Sequence, residues 1–321
     1  ARMKARCGLN YTLRVIWTPG RLIYYGIFEA MRKSARPKKL PVPVISVGNL
    51  TVGGTGKTPL VIHLAKNTPG AAVLSRGYGG KGRGTREVLP DSDPGDVGDE
   101  PVLIRKKAAC MVFVGRDRVE SGRIAAERGA KVLILDDGFQ YWGLEKDVEI
   151  LVFSARELAG GVHLLPWGRW REPLSAVKRA DIAIINFKTA QVPAVLPDLG
   201  VKTAAMCYRP EISLRGERVL GFCGLGDNES FRETLLAAGA ELAGFIKFPD
   251  HHRYSRREVE RILEEASRIS ATPVTSSKDM VRIPRDLMAG IKELGIMVEL
   301  HPPDVLSFGH DRLVIDDSLP E

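Results

Sequence analysis

The sequence predicts a doubly wound α/β domain, a second and smaller α/β domain, and an N-terminal amphipathic helix. Three observations carry that prediction. Apolar, β-branched runs alternate with helical patterns from residue 42 to about residue 190, the rhythm of a parallel sheet covered by helices. Residues 42–59, VPVISVGNLTVGGTGKTP, give a strand, a glycine-rich turn and a helix start in immediate succession. Around residues 195–215 the pattern resets through Pro193, Pro197, Gly200 and Pro210, and a new alternation begins. The expected division is a helix in residues 1–36, a P-loop NTPase-like domain in 37–210, and a smaller domain in 211–321 closing over the site.

The N-terminal segment comes first. Residues 1–40 hold ten Lys/Arg against the single acid Glu29, while the other 281 residues carry 37 basic and 38 acidic side chains. The net charge of +8 therefore belongs to the leader and not to the folded body, which argues against a nucleic-acid partner. Between those charges lie Leu9, Tyr11, Leu13, Val15, Ile16 and Trp17, and then Leu22 to Phe28, the longest charge-free apolar run at seven residues. A bilayer span needs roughly 20 such residues, and Arg14 and Arg21 interrupt any signal-peptide core. Aromatics and aliphatics flanked by Lys/Arg suit a helix lying in a membrane interface. The alternative is a helix packed on the body, with its charges solvated.

In residues 42–59 the run Val42, Val44, Ile45, Val47 reads as a buried strand, and Gly48, Gly53, Gly54 and Gly56 make the turn. Glycines let backbone N–H groups face an anion, and the following helix N-terminus adds partial positive charge. Lys57 would reach the terminal phosphates of a nucleoside triphosphate, and the Thr58 hydroxyl would ligate Mg²⁺. Pro59 suits a first helical turn. The strict pattern wants glycine at position 51, where Thr51 stands.

Further along, Ala71 to Leu74 is a short strand, and Gly79 to Arg86 a basic, glycine-rich loop. Asp99 and Glu100 open a helix running through Leu103, Ile104 and Lys107; acids there could simply offset the helix dipole. Met111 to Val114 is a strand, and a helix led by Arg116 and Arg118 runs to about Arg128. Lys131 to Leu135 is a strand closed by Asp136-Asp137-Gly138. In a phosphate-loop protein, an apolar strand ending in Asp supplies a carboxylate for Mg²⁺. Val148 to Phe153 and Ile182 to Asn186 are further strands, separated by the Arg- and Trp-dense stretch 164–173, which could meet a phosphorylated or sugar-like ligand. Ligands should lie beyond the carboxyl ends of the strands.

In the smaller domain, Val219 to Cys223 and Leu242 to Phe248 are strands, Glu229 to Ala238 and Arg256 to Ile269 helices, and Ile296 to Leu300 a late strand. Asp250-His251-His252 closes a strand with no further metal ligand at fixed spacing, so the pair is either structural or a general base facing the cleft. Cys7, Cys110, Cys207 and Cys223 are scattered, which indicates a reducing compartment.

Together these segments resemble the tetraacyldisaccharide 4'-kinase family, which makes the 4'-phosphate of lipid A. The residues that carry the likeness are the loop itself, LSRGY (74–78), GDEP (98–101), RDR (116–118), ILDDGFQ (134–140), LLPWGRWREPL (164–174), GLGDNESF (224–231), FPDHHRYS (248–255) and Lys278-Asp279. The family's own loop shares Thr51; Tyr141 stands where many members carry His. The resemblance implies transfer of the ATP γ-phosphoryl group to a hydroxyl of an acylated glucosamine disaccharide 1-phosphate. It places the protein peripherally at the cytoplasmic face of a Gram-negative inner membrane, with no obligate protein partner. Carried onto this chain, Thr51, Gly53, Gly54, Thr55, Gly56, Lys57 and Thr58 hold the ATP phosphates, and Thr58, Asp136 and Asp137 position Mg²⁺. Asp99 and His251 are the candidate base pair, with Asp99 taking the sugar hydroxyl proton and His251 orienting or tuning it, or with His251 itself as the proton acceptor; Lys57 acts in catalysis, and Glu100, Arg118, Gln140, Arg171 and Glu172 are candidates for substrate contacts.

A dimerising nucleotide switch is the rival from another class. Those loops carry a lysine immediately before the glycine pair, where this chain has Val52. A vestigial loop on a membrane-bound interaction protein would leave the acid pairs Asp99/Glu100 and Asp136/Asp137 without a purpose.

Overall fold

The computed structural model describes residues 19–308 and 313–315 of the chain. Residues 1–18 of the expected N-terminal helix lie outside the described residues; the remainder forms α1 (Pro19–Ser34). The larger unit then runs β1 (Val44–Gly48), α2 (Lys57–Asn67), β2 (Ala71–Ser75), β3 (Arg86–Glu87), α3 (Pro94–Val97), α4 (Asp99–Ala108), β4 (Met111–Val114), α5 (Arg118–Glu127), β5 (Val132–Asp136), β6 (Val148–Ser154), α6 (Ala155–Ala159), β7 (Ile182–Lys188) and β8 (Lys202–Pro210). The smaller unit follows with β9 (Arg218–Cys223), α7 (Asn228–Ala237), β10 (Glu241–Lys247), α8 (Arg256–Arg268), β11 (Thr272–Ser276), α9 (Ser277–Met280) and β12 (Lys292–Leu294). The chain closes with β13 (Ile296–His301) and the antiparallel pair β14 (Leu306–Phe308) and β15 (Leu313–Ile315).

The larger sheet has the order β13-β8-β7-β6-β1-β5-β2-β4-β3. Its interior from β8 to β4 is parallel, and antiparallel strands β13 and β3 flank it. Strands covered on both faces must be apolar throughout, and β1 and β2 are buried at every position. The register sets Val47 beside Asp136, so the phosphate loop and the acid pair leave the sheet at the same level. The smaller sheet, β10-β9-β11-β12, is parallel throughout.

Three local expectations are corrected. The helix after the phosphate loop starts at Lys57 and not at Pro59, because Gly56, at φ 105°, already serves as its N-cap. The reset at residues 195–215 contains β8, whose Ala204, Ala205, Met206 and Cys207 are buried although their β-propensity is weak. The strand at Ile296–Leu300 belongs to the larger sheet. It pairs antiparallel with β8 and covers what would otherwise be an open edge.

Candidate active site

The carboxyl ends of β1, β2, β5 and β7 open on one cleft of about 1410 Å³. Gly53 to Thr58, Asp99, Glu100, Asp136, Asp137 and Arg171 line it from the larger unit, and Asp227, His251 and Lys278 from the smaller.

The loop is held from both sides. Asn186, at the end of β7, donates from Nδ2 to the Thr55 carbonyl at 2.8 Å and to Tyr208 Oη at 2.7 Å. On the other flank the segment 164–173 runs alongside the loop: Val52 N donates to Arg169 O at 2.7 Å and Arg171 N to Leu50 O at 2.7 Å. That Arg- and Trp-rich stretch thus braces the loop. The Thr51 hydroxyl donates to Glu157 Oε2 at 2.9 Å, and its backbone bridges to Trp170. Thr51 is not among the residues with positive φ, so glycine is not required there.

Gly56 is different. Its φ is 105°, and a Cβ would come within 2.2 Å of Asn186 Nδ2 and 2.4 Å of Tyr208 Oη. Gly56→Ala is expected to destabilise the fold by about 1–3 kcal/mol from left-handed backbone strain alone. A lowered denaturation midpoint together with weakened ATP binding checks this; an unchanged midpoint contradicts it.

The acid pair behind the loop is crowded. Asp136 is buried and accepts from Ser75 Oγ at 3.0 Å. Burial, with the nearby Glu100 and Asp137 carboxylates, pushes the Asp136 carboxyl up to about 7 against the pull of Lys57. Burial would raise Asp137 too, but Lys57 and Arg171 hold its carboxyl below the ordinary value. Lys57 Nζ stands 3.3 Å from Asp137 Oδ1, an atom that is buried with no hydrogen-bond partner among the described residues. Clustered hard oxygens with one unsatisfied fit a magnesium ion, which takes one or two carboxylates and completes its shell with phosphate oxygens and water. Among the described residues no three His, Cys, Asp or Glu side chains could hold a metal unaided, so a shared phosphate is part of that fit.

Asp99 and Glu100 open α4, following Gly98 in a positive-φ conformation. Both reach the smaller unit. Glu100 Oε1 accepts from Lys278 Nζ at 2.7 Å, and Lys278 holds the Glu100 carboxyl below its ordinary value although burial opposes this. Asp99 Oδ2 accepts from Arg282 Nε at 2.6 Å and lies 3.5 Å from His251 Nδ1. At the opposite end of the cleft, Lys188 Nζ donates to Asp227 Oδ2 at 2.6 Å, while Asp227 Oδ1 caps α7.

Three of the remaining candidates do not line the cleft. Glu172 is buried and accepts from Arg179 at 2.6 Å and from Gln140 Nε2 at 3.0 Å. Gln140 in turn accepts from Arg171 Nη1 at 3.0 Å, and the same nitrogen reaches Asp137 Oδ2 at 3.4 Å. Glu172 and Gln140 therefore stand behind Arg171 and aim it at the acid pair. Arg118 is buried over the Tyr141 ring at 5.2 Å, with its Nε lacking a hydrogen-bond partner among the described residues. Asn186, Arg169, Asp227 and Arg282 were not among the candidate residues, although Arg169 and Asp227 lie in the segments LLPWGRWREPL and GLGDNESF; Asn186 and Arg282 carried no functional signal.

On α1, Phe28 meets Trp142 edge-on at 4.8 Å, while Ile27 and Met31 are 58% and 59% exposed. The helix is thus packed along one side and open along another. No helix among the described residues is long and apolar enough to cross a membrane.

Comparison with known proteins bears on this arrangement. Residues 13–307 match the family described as Tetraacyldisaccharide-1-P 4'-kinase. The Tetraacyldisaccharide 4'-kinase of Rhodospirillum centenum is 36% identical, with 94% of this chain and 91% of the relative covered. That of Rhodopseudomonas palustris is 40% identical over 86% of this chain and 85% of its own. The crystal structure of LpxK from Aquifex aeolicus in complex with ATP superposes with a TM-score of 0.72 at 31% identity, covering 88% of this chain and 93% of that one.

Proposed function

Because the chain belongs to the tetraacyldisaccharide 4'-kinase family, we propose that it phosphorylates the 4'-hydroxyl of a tetraacyl glucosamine disaccharide 1-phosphate with ATP, a step of lipid A biosynthesis. The observation that carries this reading is the cleft itself, where the phosphate loop and the Asp136/Asp137 pair face Asp99 and His251. The donor and acceptor machinery share one cavity.

The loop N–H groups and Lys57 hold the β- and γ-phosphates. Thr58, Asp136 and Asp137 would hold Mg²⁺, which would supply neutralisation of the charge that develops on the phosphates. Arg171, aimed by Gln140 and Glu172, faces the phosphoryl group beside Asp137. Glu100 pairs with Lys278 at the acceptor side of the cleft, and the buried charge of Arg118 acts on Asp136 and Asp137 without touching them. Asp99 takes the proton of the 4'-hydroxyl as its oxygen bonds to the γ-phosphorus and the bond to the β-phosphate oxygen breaks. Such transfer depends on in-line positioning and charge neutralisation more than on covalent help. The chain divides functionally at about residue 211, with Ile296–His301 returning to the larger sheet, and closure of the smaller unit shields the reacting groups from water.

The acceptor is lipid-borne, and α1 seats the protein peripherally on the cytoplasmic face of the inner membrane. Ile27→Asp combined with Met31→Asp is expected to weaken partitioning onto anionic vesicles about tenfold or more, given ~1.5–3 kcal/mol for each apolar side chain fully buried. Unchanged co-sedimentation removes the interfacial role. For the activity, purified protein with Mg²⁺-ATP and the tetraacyl disaccharide 1-phosphate should yield a 4'-phosphorylated lipid. ATP hydrolysis indifferent to the lipid, with no phospholipid formed, points instead to a nucleotide switch.

A further inference from the structure

Asn186 is buried near the end of β7. A bulge turns the strand here: Asn186 pairs with Met206 of β8, and Lys188 already with the next residue, Cys207. Bulges re-aim side chains. This one leaves Lys188 at φ 55°, with its backbone N–H donating to Asn186 Oδ1 at 2.9 Å. A backbone donor on that atom identifies it as the amide oxygen. The amide nitrogen therefore faces the phosphate loop, where it donates to the Thr55 carbonyl at 2.8 Å and to Tyr208 Oη at 2.7 Å. Both of its protons are used.

The Thr55–Gly56 peptide is trans, so its carbonyl and its N–H point to opposite sides of one plane. With the Thr55 carbonyl held on Asn186, the Gly56 N–H is turned away from that side chain. Gly56 lines the cleft as the N-cap of α2, and its N–H has no hydrogen-bond partner among the described residues. Backbone donors at a helix start are what an anion meets there. Glycine tolerates either sign of φ, so nothing in Gly56 itself, at φ 105°, stops the plane from turning over. The reverse orientation would set a carbonyl oxygen where a phosphate needs a proton.

We propose that Asn186 is the positioning residue of the phosphate loop: it pins the Thr55 carbonyl and thereby commits the Gly56 N–H to the phosphates of the nucleotide. The role rests on the reading of this loop as the ATP site. Leucine matches the branching of asparagine and fills the same space, but it has no donor with which to hold the plane.

Thr55–Gly56 is the one Thr-Gly step in the sequence. Protein labelled with carbonyl-¹³C threonine and ¹⁵N glycine therefore gives a single carbonyl-to-amide NMR correlation, which reports on this peptide alone. On saturation of the wild-type chain with Mg²⁺-ADP, that amide proton is expected to move downfield, as a proton donated to phosphate does. In Asn186→Ala and Asn186→Leu the movement should be lost. The ATP dissociation constant should rise about 10- to 100-fold in both, the worth of one hydrogen bond to a charged group, while KM for the lipid stays within about twofold. A role in packing alone would spare Asn186→Leu. A wild-type amide that stays in place while calorimetry shows ADP bound overturns the proposal, whether or not the variants fold. So does wild-type ATP affinity in Asn186→Leu. If calorimetry finds no nucleotide bound to the wild-type chain, the reading of the loop itself has failed, and the role of Asn186 falls with it.

Discussion

Asp99→Asn is expected to lower kcat by about 10²–10⁴-fold, the usual span for loss of a general base, with little change in ATP affinity. The substitution keeps the shape of the side chain, and an amide oxygen can still accept from Arg282 Nε, now 2.6 Å from the carboxylate. What disappears is the ability to take a proton. Asp99 lies at the start of α4, whereas the glycine-rich loop proposed to hold the phosphates runs between β1 and α2. Steady-state kinetics with lipid and ATP varied separately, alongside calorimetric ATP binding, gives the split. A turnover equal to wild type would remove Asp99 from the chemistry.

Lys57→Met is expected to cost about 10²–10³ in kcat, the scale for deleting one preorganised charge at a developing anion. Lys57 is also the cation nearest the acid pair, 3.3 Å from Asp137 Oδ1. Among the described residues, its removal leaves Arg171 as the cation paired with Asp137, at 3.4 Å from Oδ2. Two effects follow: weaker transition-state stabilisation and weaker ATP binding. Lys57→Arg should not restore activity, because a planar fork cannot occupy the place of a compact ammonium beneath the loop. Full turnover in either variant would show that the loop binds phosphate without its lysine.

The sequence made the site's donor half legible because its pattern is local. Strand, loop and helix from Val44 to Asn67 are contiguous, and Asp136 ends an apolar strand that the register sets beside Val47. The braces were not legible. Asn186 and Arg169 reach the loop from positions more than a hundred residues away, through pairings that no periodicity announces. The same holds for Arg282, a single arginine 183 residues from the carboxylate it grips. Strand β8 escaped notice for a different reason. Alanines, a methionine and a cysteine between prolines read only as a reset of the pattern, and burial between β7 and β13 makes them a strand. The N-terminal helix left two readings open; in the structure Phe28 packs against Trp142, and Ile27 and Met31 are exposed.

The return of β13 to the larger sheet has a mechanical consequence. The smaller unit is not a tail but an insertion, leaving from the end of β8 and re-entering on the strand paired with it, where Ile296 faces Pro210. Both of its tethers spring from neighbouring points on one edge. Two adjacent, antiparallel cords would confine any movement of that body to a gate-like swing about the line through them. Across the cleft, Lys278 meets Glu100 and Asp227 meets Lys188, and His251 lies beside Asp99. Cutting the chain before β13 would release one cord and bare the flank of β8 as well, so the gate cannot be removed from the C-terminal end without damaging its frame.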